Sequence, residues 1–212
     1  MRDSSDRKLK DAILKRVLAH APFDGFTDNL LLKAGREEGA DRTTLARLFP
    51  DGGVSVIEYF VASVDRAMER KLGRIELAGR KVRERIKIAI LTRLEILAPN
   101  KEAARRAAAT LTLPVNAKRA ARLMYRTVDS IWRAVGDTST DFNFYTKRAI
   151  LAGVYGSVLM RWFADTGKDQ TATNAFLDAR IENVMQFEKL KARAKETLAR
   201  FPVFKAWRRA PQ

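Results

Sequence analysis

The sequence predicts an all-α chain. A small three-helix module of helix-turn-helix type occupies residues 1–53, a larger helical bundle follows over 54–200, and a short basic, aromatic tail closes the chain at 201–212. Three observations predict this. Apolar residues recur at helical spacing along most of the length. Strand-type alternation is nearly absent, and proline- or glycine-bearing turns separate the periodic stretches.

Leu9, Ile13 and Val17, with Leu14 and Leu18, form the first apolar stripe; Ser4 or Ser5 is placed to cap that helix and Pro22 to stop it. Thr27 is the cap of a second helix carrying Leu30, Leu31 and Ala34 and closed by Gly39. Asp41 caps a short third helix through Leu48, ended by Phe49-Pro50-Asp51-Gly52-Gly53. Three short helices with a tight glycine turn between the last two read as a helix-turn-helix unit. A long helix then begins near Val54 and buries Val56, Ile57, Phe60, Val64, Met68 and Leu72. Gly73 and Gly79 interrupt it before a helix with Val82, Ile86, Ala89, Ile90 and Leu97, ended by Pro99-Asn100. An alanine-rich helix runs to about Thr112, and another spans about Asn116 to Val135 with Gly136 as its left-handed cap. Two more follow, from about Asp141 to Ala164 and from about Ala172 to Arg200, giving nine or ten in all.

The chain has no cysteine and one histidine, His20, so disulfides, thiolate metal sites and multi-imidazole metal sites are excluded. There is no GxSxG elbow, Walker loop or GxGxxG fingerprint, and the acids are dispersed, so the reading is of a non-enzyme. The first residues lack an apolar h-region and an acid-free arginine-rich stretch, which argues against a secretory signal and a transit peptide. The run Ala149–Met160 is shorter than the about 20 residues that span a bilayer and reads as a buried helix.

The net charge of +16 invites a nucleic-acid reading, and its distribution argues against one. Residues 1–65 carry 10 Lys/Arg and 11 Asp/Glu, whereas the segments 66–87, 101–126 and 189–212 carry net charges of +6, +6 and +7. The stretch Thr43-Thr44-Leu45-Ala46-Arg47-Leu48-Phe49-Pro50 resembles the end of the recognition helix of TetR-type repressors. Those repressors usually carry a tyrosine where Ala46 stands and a lysine where Gly52 stands, both used on the DNA backbone. A module without net positive charge gains little from counterion release, and only Arg42 and Arg47, with Thr43 and Thr44, can reach base edges.

The most specific segment is Asp129-Ser130-Ile131-Trp132-Arg133-Ala134-Val135-Gly136-Asp137-Thr138-Ser139-Thr140-Asp141-Phe142-Asn143-Phe144-Tyr145-Thr146-Lys147-Arg148, followed by the apolar run from Ala149. It resembles the signature of the TetR-like accessory family of ubiquinone (coenzyme Q) biosynthesis: a Trp, then Gly-Asp, Ser-Thr-Asp-Phe-Asn, an aromatic, Tyr-Thr, a basic pair and an apolar helix. The resemblance continues less sharply through Met160, Asp165, Thr173 and Phe176 to Phe187. It implies a TetR-like fold with an apolar pocket in the larger bundle, a homodimer and a bound isoprenoid lipid or quinone intermediate. It also implies no other cofactor, because the iron chemistry would belong to the partner, the membrane-associated di-iron hydroxylase that acts on demethoxyubiquinone. The location it implies is the bacterial cytoplasm, peripherally on the inner membrane, or the matrix side of the inner mitochondrial membrane in a eukaryote.

Carried onto these positions, the resemblance makes Asp129, Ile131, Trp132, Asp141, Asn143, Phe144, Tyr145 and Arg148 candidates for the partner surface. The residues alone leave a second reading open, in which Asp141 caps the helix, Phe144 is core and Arg148 makes a local ion pair. The candidate lipid lining is Met124, Val128, Ile150, Val154, Tyr155, Val158, Leu159, Trp162, Leu177, Ile181 and Met185, all of which read equally as ordinary core. Gly153, Gly156 and Ser157 either admit a neighbouring helix or leave volume for a ligand. In the tail, Phe204 and Trp207 with Arg208 and Arg209 suit contact with an anionic membrane surface, or Phe204 and Trp207 dock back on the body.

Overall fold

The structure, a computed structural model, describes residues 2–137, 142–167 and 169–200, with backbone alone at 2–3, 142–143, 188–189 and 191–200. The described residues form nine α-helices and no strand: α1 (Arg2–Asp24), α2 (Asp28–Glu37), α3 (Arg42–Leu48), α4 (Gly53–Leu72), α5 (Val82–Leu97), α6 (Lys101–Leu111), α7 (Ala117–Ala134), α8 (Phe142–Ala164) and α9 (Thr171–Arg200). Short 3-10 turns at Ala98–Asn100 and Pro114–Asn116 join α5 to α6 and α6 to α7.

The caps read from sequence fall where physical chemistry places them. The Thr27 hydroxyl accepts from the Leu30 amide at 3.2 Å, and the Asp41 carboxylate accepts from the Thr44 amide at 2.7 Å. The first helix departs from expectation at both ends. It starts at Arg2, ahead of the serines, and continues through Pro22 to Asp24. A proline this near a C-terminus removes one ladder bond, and the chain restores the next one, Gly25 N–H to Ala21 carbonyl at 3.0 Å, before Gly25 ends the helix at φ +67°.

The helix-turn-helix unit is tied to α4 at one crowded point. Gly53 donates its amide to the Asp28 carboxylate at 2.9 Å, and a Cβ at this position would lie 1.9 Å from the Phe26 carbonyl oxygen. Only glycine permits this approach. One continuous apolar core then runs from Ile13 and Val17 on α1 through Val56, Ile57 and Met68 on α4, Ile90 and Leu94 on α5 and Val128 and Ile131 on α7 to Val158 and Trp162 on α8 and Leu177 on α9.

The expected all-round burial of α8 is corrected by its surroundings. Leu151, Val154, Tyr155 and Val158 are buried, but Ala149, Gly153 and Met160 face outward. A helix apolar on every side needs covering on every side, and a single chain covers only one. Among the described residues, no helix is long and apolar enough to cross a membrane.

Candidate functional site: an apolar cavity and a clamped helix turn

Helices α4 to α8 line a cavity of about 640 Å³ that opens at the surface. Its walls come from Phe60 and Val61 of α4, Leu97 of α5, Met124 of α7, and Tyr155 and Leu159 of α8. One side is α6, whose Ala104, Ala107 and Ala108 present methyl groups where larger side chains would fill the space. The alanine face contributes to the volume, because its short side chains leave unfilled the space that larger ones would occupy.

The floor is polar. Arg93, 4 % exposed, donates from Nε to the Asp65 carboxylate at 2.9 Å and from Nη1 to the Tyr155 hydroxyl, while Nη2 reaches Thr127 Oγ1 at 3.5 Å. Thr127 in turn donates to Asp65 Oδ2 at 3.0 Å. Burial works against the Arg93 charge, but Tyr155 and Asp65 more than offset it and hold its pKa above the ordinary guanidinium value. Burial raises the Tyr155 phenol, with Arg93 opposing. Arg93, Thr127 and Tyr155 all contribute to the cavity wall, so its one polar pole is already neutralised internally.

A second pocket, of about 320 Å³, lies on the other side of α8. Val82 and Ile86 of α5, Trp132 of α7, Ile150 and Val154 of α8, and Ile181 and Met185 of α9 surround it. The candidate lipid residues therefore divide. Met124, Tyr155 and Leu159 line the large cavity, and Ile150, Val154, Ile181 and Met185 line the small one. Val128, Val158, Trp162 and Leu177 line neither and are fully buried core. Sequence reasoning missed the α6 alanines and Arg93. The signal for the first was the run of alanines three and four apart; for the second it was a charge placed among buried positions.

The motif residues form a clamp between α7 and α8. Arg148 is 4 % exposed and pairs with Asp129 at 2.7 Å and Asp137 at 3.6 Å. It also donates to the Phe144 carbonyl at 3.2 Å and lays its guanidinium 3.3 Å from the Phe144 ring centre. Lys147 binds Asp137 at 2.8 Å, and the Trp132 indole N–H donates to the Lys147 carbonyl at 3.2 Å. The basic pair on α8 thus grips the two acids at the end of α7, which is the local ion pair that the residues left open.

Among the partner candidates, Ile131 is fully buried and Arg148 nearly so, because both face the α7–α8 interior. Tyr145, 68 % exposed, projects outward with its ring 5.1 Å from that of the half-buried Phe144. Asp141 lies outside the described residues, as do Phe204, Trp207, Arg208 and Arg209; of Asn143 only the backbone within α8 is described.

In the N-terminal module, Arg47 is held by Asp6 through two hydrogen bonds, one of them 3.0 Å long. Lys10 and Arg66 stack on Tyr59 at 5.2 and 5.3 Å. The Tyr59 hydroxyl donates to Asp11 at 2.6 Å; burial and that bond push its pKa up to about 12.

The arrangement of a helix-turn-helix unit, a linking helix and a bundle with a cavity between its helices is a TetR-like fold. A crystal structure of a TetR transcriptional regulator from Nitrosomonas europaea superimposes with a TM-score of 0.65 over 82 % of this chain and 97 % of that one, at 15 % identity, a likeness of fold. Residues 117–188, the span of α7, the clamp, α8 and much of α9, match the COQ9 family. The chain is 31 % identical over 200 residues to the mitochondrial ubiquinone biosynthesis protein COQ9 of Bos taurus, covering 91 % of this chain and 62 % of that protein. It is 30 % identical over 200 residues to the Homo sapiens protein of the same name, with 91 % and 63 % covered. A probable mitochondrial ubiquinone biosynthesis protein coq9 of Dictyostelium discoideum is 30 % identical over 197 residues, with 90 % and 64 % covered. The chain resembles the COQ9 family, whose model it matches over residues 117–188, and it spans a little under two thirds of the length of these relatives.

Proposed function

We propose that this protein is a non-catalytic, lipid-binding accessory protein of ubiquinone biosynthesis that presents an isoprenoid quinone intermediate to the demethoxyubiquinone hydroxylase. The observation that carries the reading is the cavity of about 640 Å³ in a chain that resembles this family. Its size falls within the roughly 300–1,000 Å³ usual for small-molecule sites, and its walls are apolar apart from a floor that satisfies its own charge. Such a cavity suits a stretch of isoprenoid tail and leaves a polar head at the mouth, where a partner enzyme can reach it. The oxidative chemistry resides in that partner.

The outward face of α8, with Gly153 and Ala149, supports a homodimer, because small residues let a second helix approach closely. Tyr145 and Phe144 beside the clamp are the partner contacts, with Asp129, Trp132 and Arg148 holding them in place. The protein works on the surface of the membrane that houses the hydroxylase.

A lipid-responsive regulator of the same fold is the second reading. The Asp6–Arg47 pair counts against it, since it occupies a side chain that DNA would require. Solvent extraction of the purified protein followed by lipid mass spectrometry tests the proposal. A co-purifying isoprenoid quinone or precursor is the expected result. A protein that stays empty after incubation with such lipids refutes it, and sequence-specific retention of genomic fragments at physiological salt favours the regulator.

A further inference from the structure

The turn between α6 and α7 stands at the rim of the large cavity and carries two apolar side chains that the fold leaves uncovered. Leu113 is 52 % exposed and Val115 87 % exposed, while the flanking Thr112 and Ala117 line the cavity. The exposure is built in. Asn116 donates from its side chain to the Thr110 carbonyl at 2.9 Å and from its backbone to the Leu113 carbonyl at 2.8 Å, which fixes the turn. A lone exposed valine needs no explanation; its neighbours give this pair one.

From the turn, α7 carries Lys118, Arg122 and Arg126, each four residues from the last, so the three cations share one face. All are exposed, and Tyr125 stands beside them. Among the described residues none of the three has a carboxylate at ion-pair distance. The chain does supply such partners nearby: Arg119 pairs with Asp51 at 2.9 Å and Glu58 at 3.2 Å, and Arg105 with Glu102 at 2.6 Å. An unpaired cationic row beginning at an apolar tip matches a surface with hydrocarbon below and negative charge above it.

We propose that this rim docks the protein on an anionic bilayer. Leu113 and Val115 enter the acyl boundary, and the cations of α7 nearest that tip meet the lipid phosphates, so that the cavity opens toward the membrane and lipid passes between the two without crossing water. This use of the cavity rests on the lipid-binding reading above. Distance along α7 ranks the cations. At about 1.5 Å per residue, Arg126 stands about 12 Å further from the tip than Lys118, beyond a Debye length of about 8 Å at physiological salt. With the tip in the acyl boundary, Lys118 and Arg122 therefore contribute most.

The experiment is co-sedimentation of the full chain with vesicles of phosphatidylcholine alone or mixed with phosphatidylglycerol, at low and high salt, alongside lipid analysis of the same protein. Binding is expected only to the anionic vesicles and to weaken with salt. Lys118→Gln/Arg122→Gln is expected to lose on the order of 20-fold in partitioning, at about fivefold per cation. Leu113→Ser/Val115→Ser should lose roughly tenfold or more, and Val115→Trp, at an exposed site, should bind more tightly. All three are expected to keep the wild-type circular dichroism spectrum and bound lipid. Wild-type partitioning by the serine and glutamine variants overturns the proposal, as does loss of all binding on deleting residues 201–212 with the rim intact. A wild-type protein that binds vesicles through the rim yet never holds lipid removes the cavity reading and leaves the docking surface standing.

Discussion

Replacing Arg93 by methionine removes the only cation on the floor of the large cavity and leaves the Asp65 carboxylate facing Thr127 alone. Both members of the pair are almost wholly enclosed, with side-chain exposures of 5 % and 11 %, so water cannot take over the lost interaction. Removing one partner of a buried pair costs about 3–5 kcal/mol. The surviving Thr127 hydrogen bond places Arg93→Met near the lower end, at about 3 kcal/mol, or roughly 6–12 °C in melting temperature for a chain of this size. Asp65→Leu strands the guanidinium instead and should cost a similar amount. The double variant Asp65→Leu/Arg93→Met strands no charge, and it should recover more than half of the summed loss. Urea denaturation followed by circular dichroism gives all three values, and the double-mutant cycle isolates the coupling. A single-variant cost below about 1 kcal/mol, or costs that simply add, would refute the claim that the pair is a closed, dry charge at the cavity floor.

Four further outcomes are expected. Gly53→Ala drives a methyl group into the Phe26 carbonyl and should cost about 3 kcal/mol in the same denaturation assay. Ala107→Phe, on the alanine face of α6, should abolish co-purification of lipid while leaving the helical spectrum unchanged; retained lipid would move the ligand elsewhere. The Asp165 carboxylate accepts from the Thr173 amide at 2.9 Å and hydroxyl at 2.6 Å and from the Gly167 amide at 3.0 Å, and these bonds, that with Thr173 foremost, hold its pKa below the usual value. Its contribution is therefore present above the unfolded-state pKa of about 3.9 and lost as pH falls through the lower folded-state value, so the stability gap between wild type and Asp165→Asn should close only below about pH 4. Tyr145→Ala should weaken capture of the hydroxylase with no loss of melting temperature, whereas Arg148→Ala should lower both; equal melting temperatures for the two variants would show that the clamp does not tie the two helices together.

The fold was legible because its signals are local. Thr27 and Asp41 announce helix starts by their chemistry, and Gly136 takes the left-handed conformation at φ +86° that its place after α7 anticipated. Where reading failed, a non-local fact decided. Pro22 reads as a stop, but its position two residues from the end of α1 makes it tolerable. The apolar run of α8 reads as buried because a sequence does not say how many neighbours a helix has. The cavity was legible only in part for the same reason: Met124, Tyr155 and Leu159 face it, but Val158, one residue from Leu159, faces the core. Helical rotation of about 100° per residue turns adjacent apolar side chains to different compartments, and only the tertiary arrangement labels those compartments.

The motif at residues 129–148 shows how a strong family signature and a weak assignment of roles coexist. Its acids lie on α7 and just after it and its bases on α8, so the pairs that Asp129, Asp137, Lys147 and Arg148 make tie the two helices together. Loss of any one leaves a charge facing its neighbours. On the proposed function, recognition of a partner falls to what the clamp displays rather than to the clamp itself. Arg148 is enclosed by Asp129, Asp137 and the Phe144 ring, and through that ring it supports Tyr145, which does face outward. The same division applies to the cavity, whose charged floor neutralises itself and whose alanine wall adds to the room. In both places the charged residues fix geometry, and the apolar ones beside them are left to make contact.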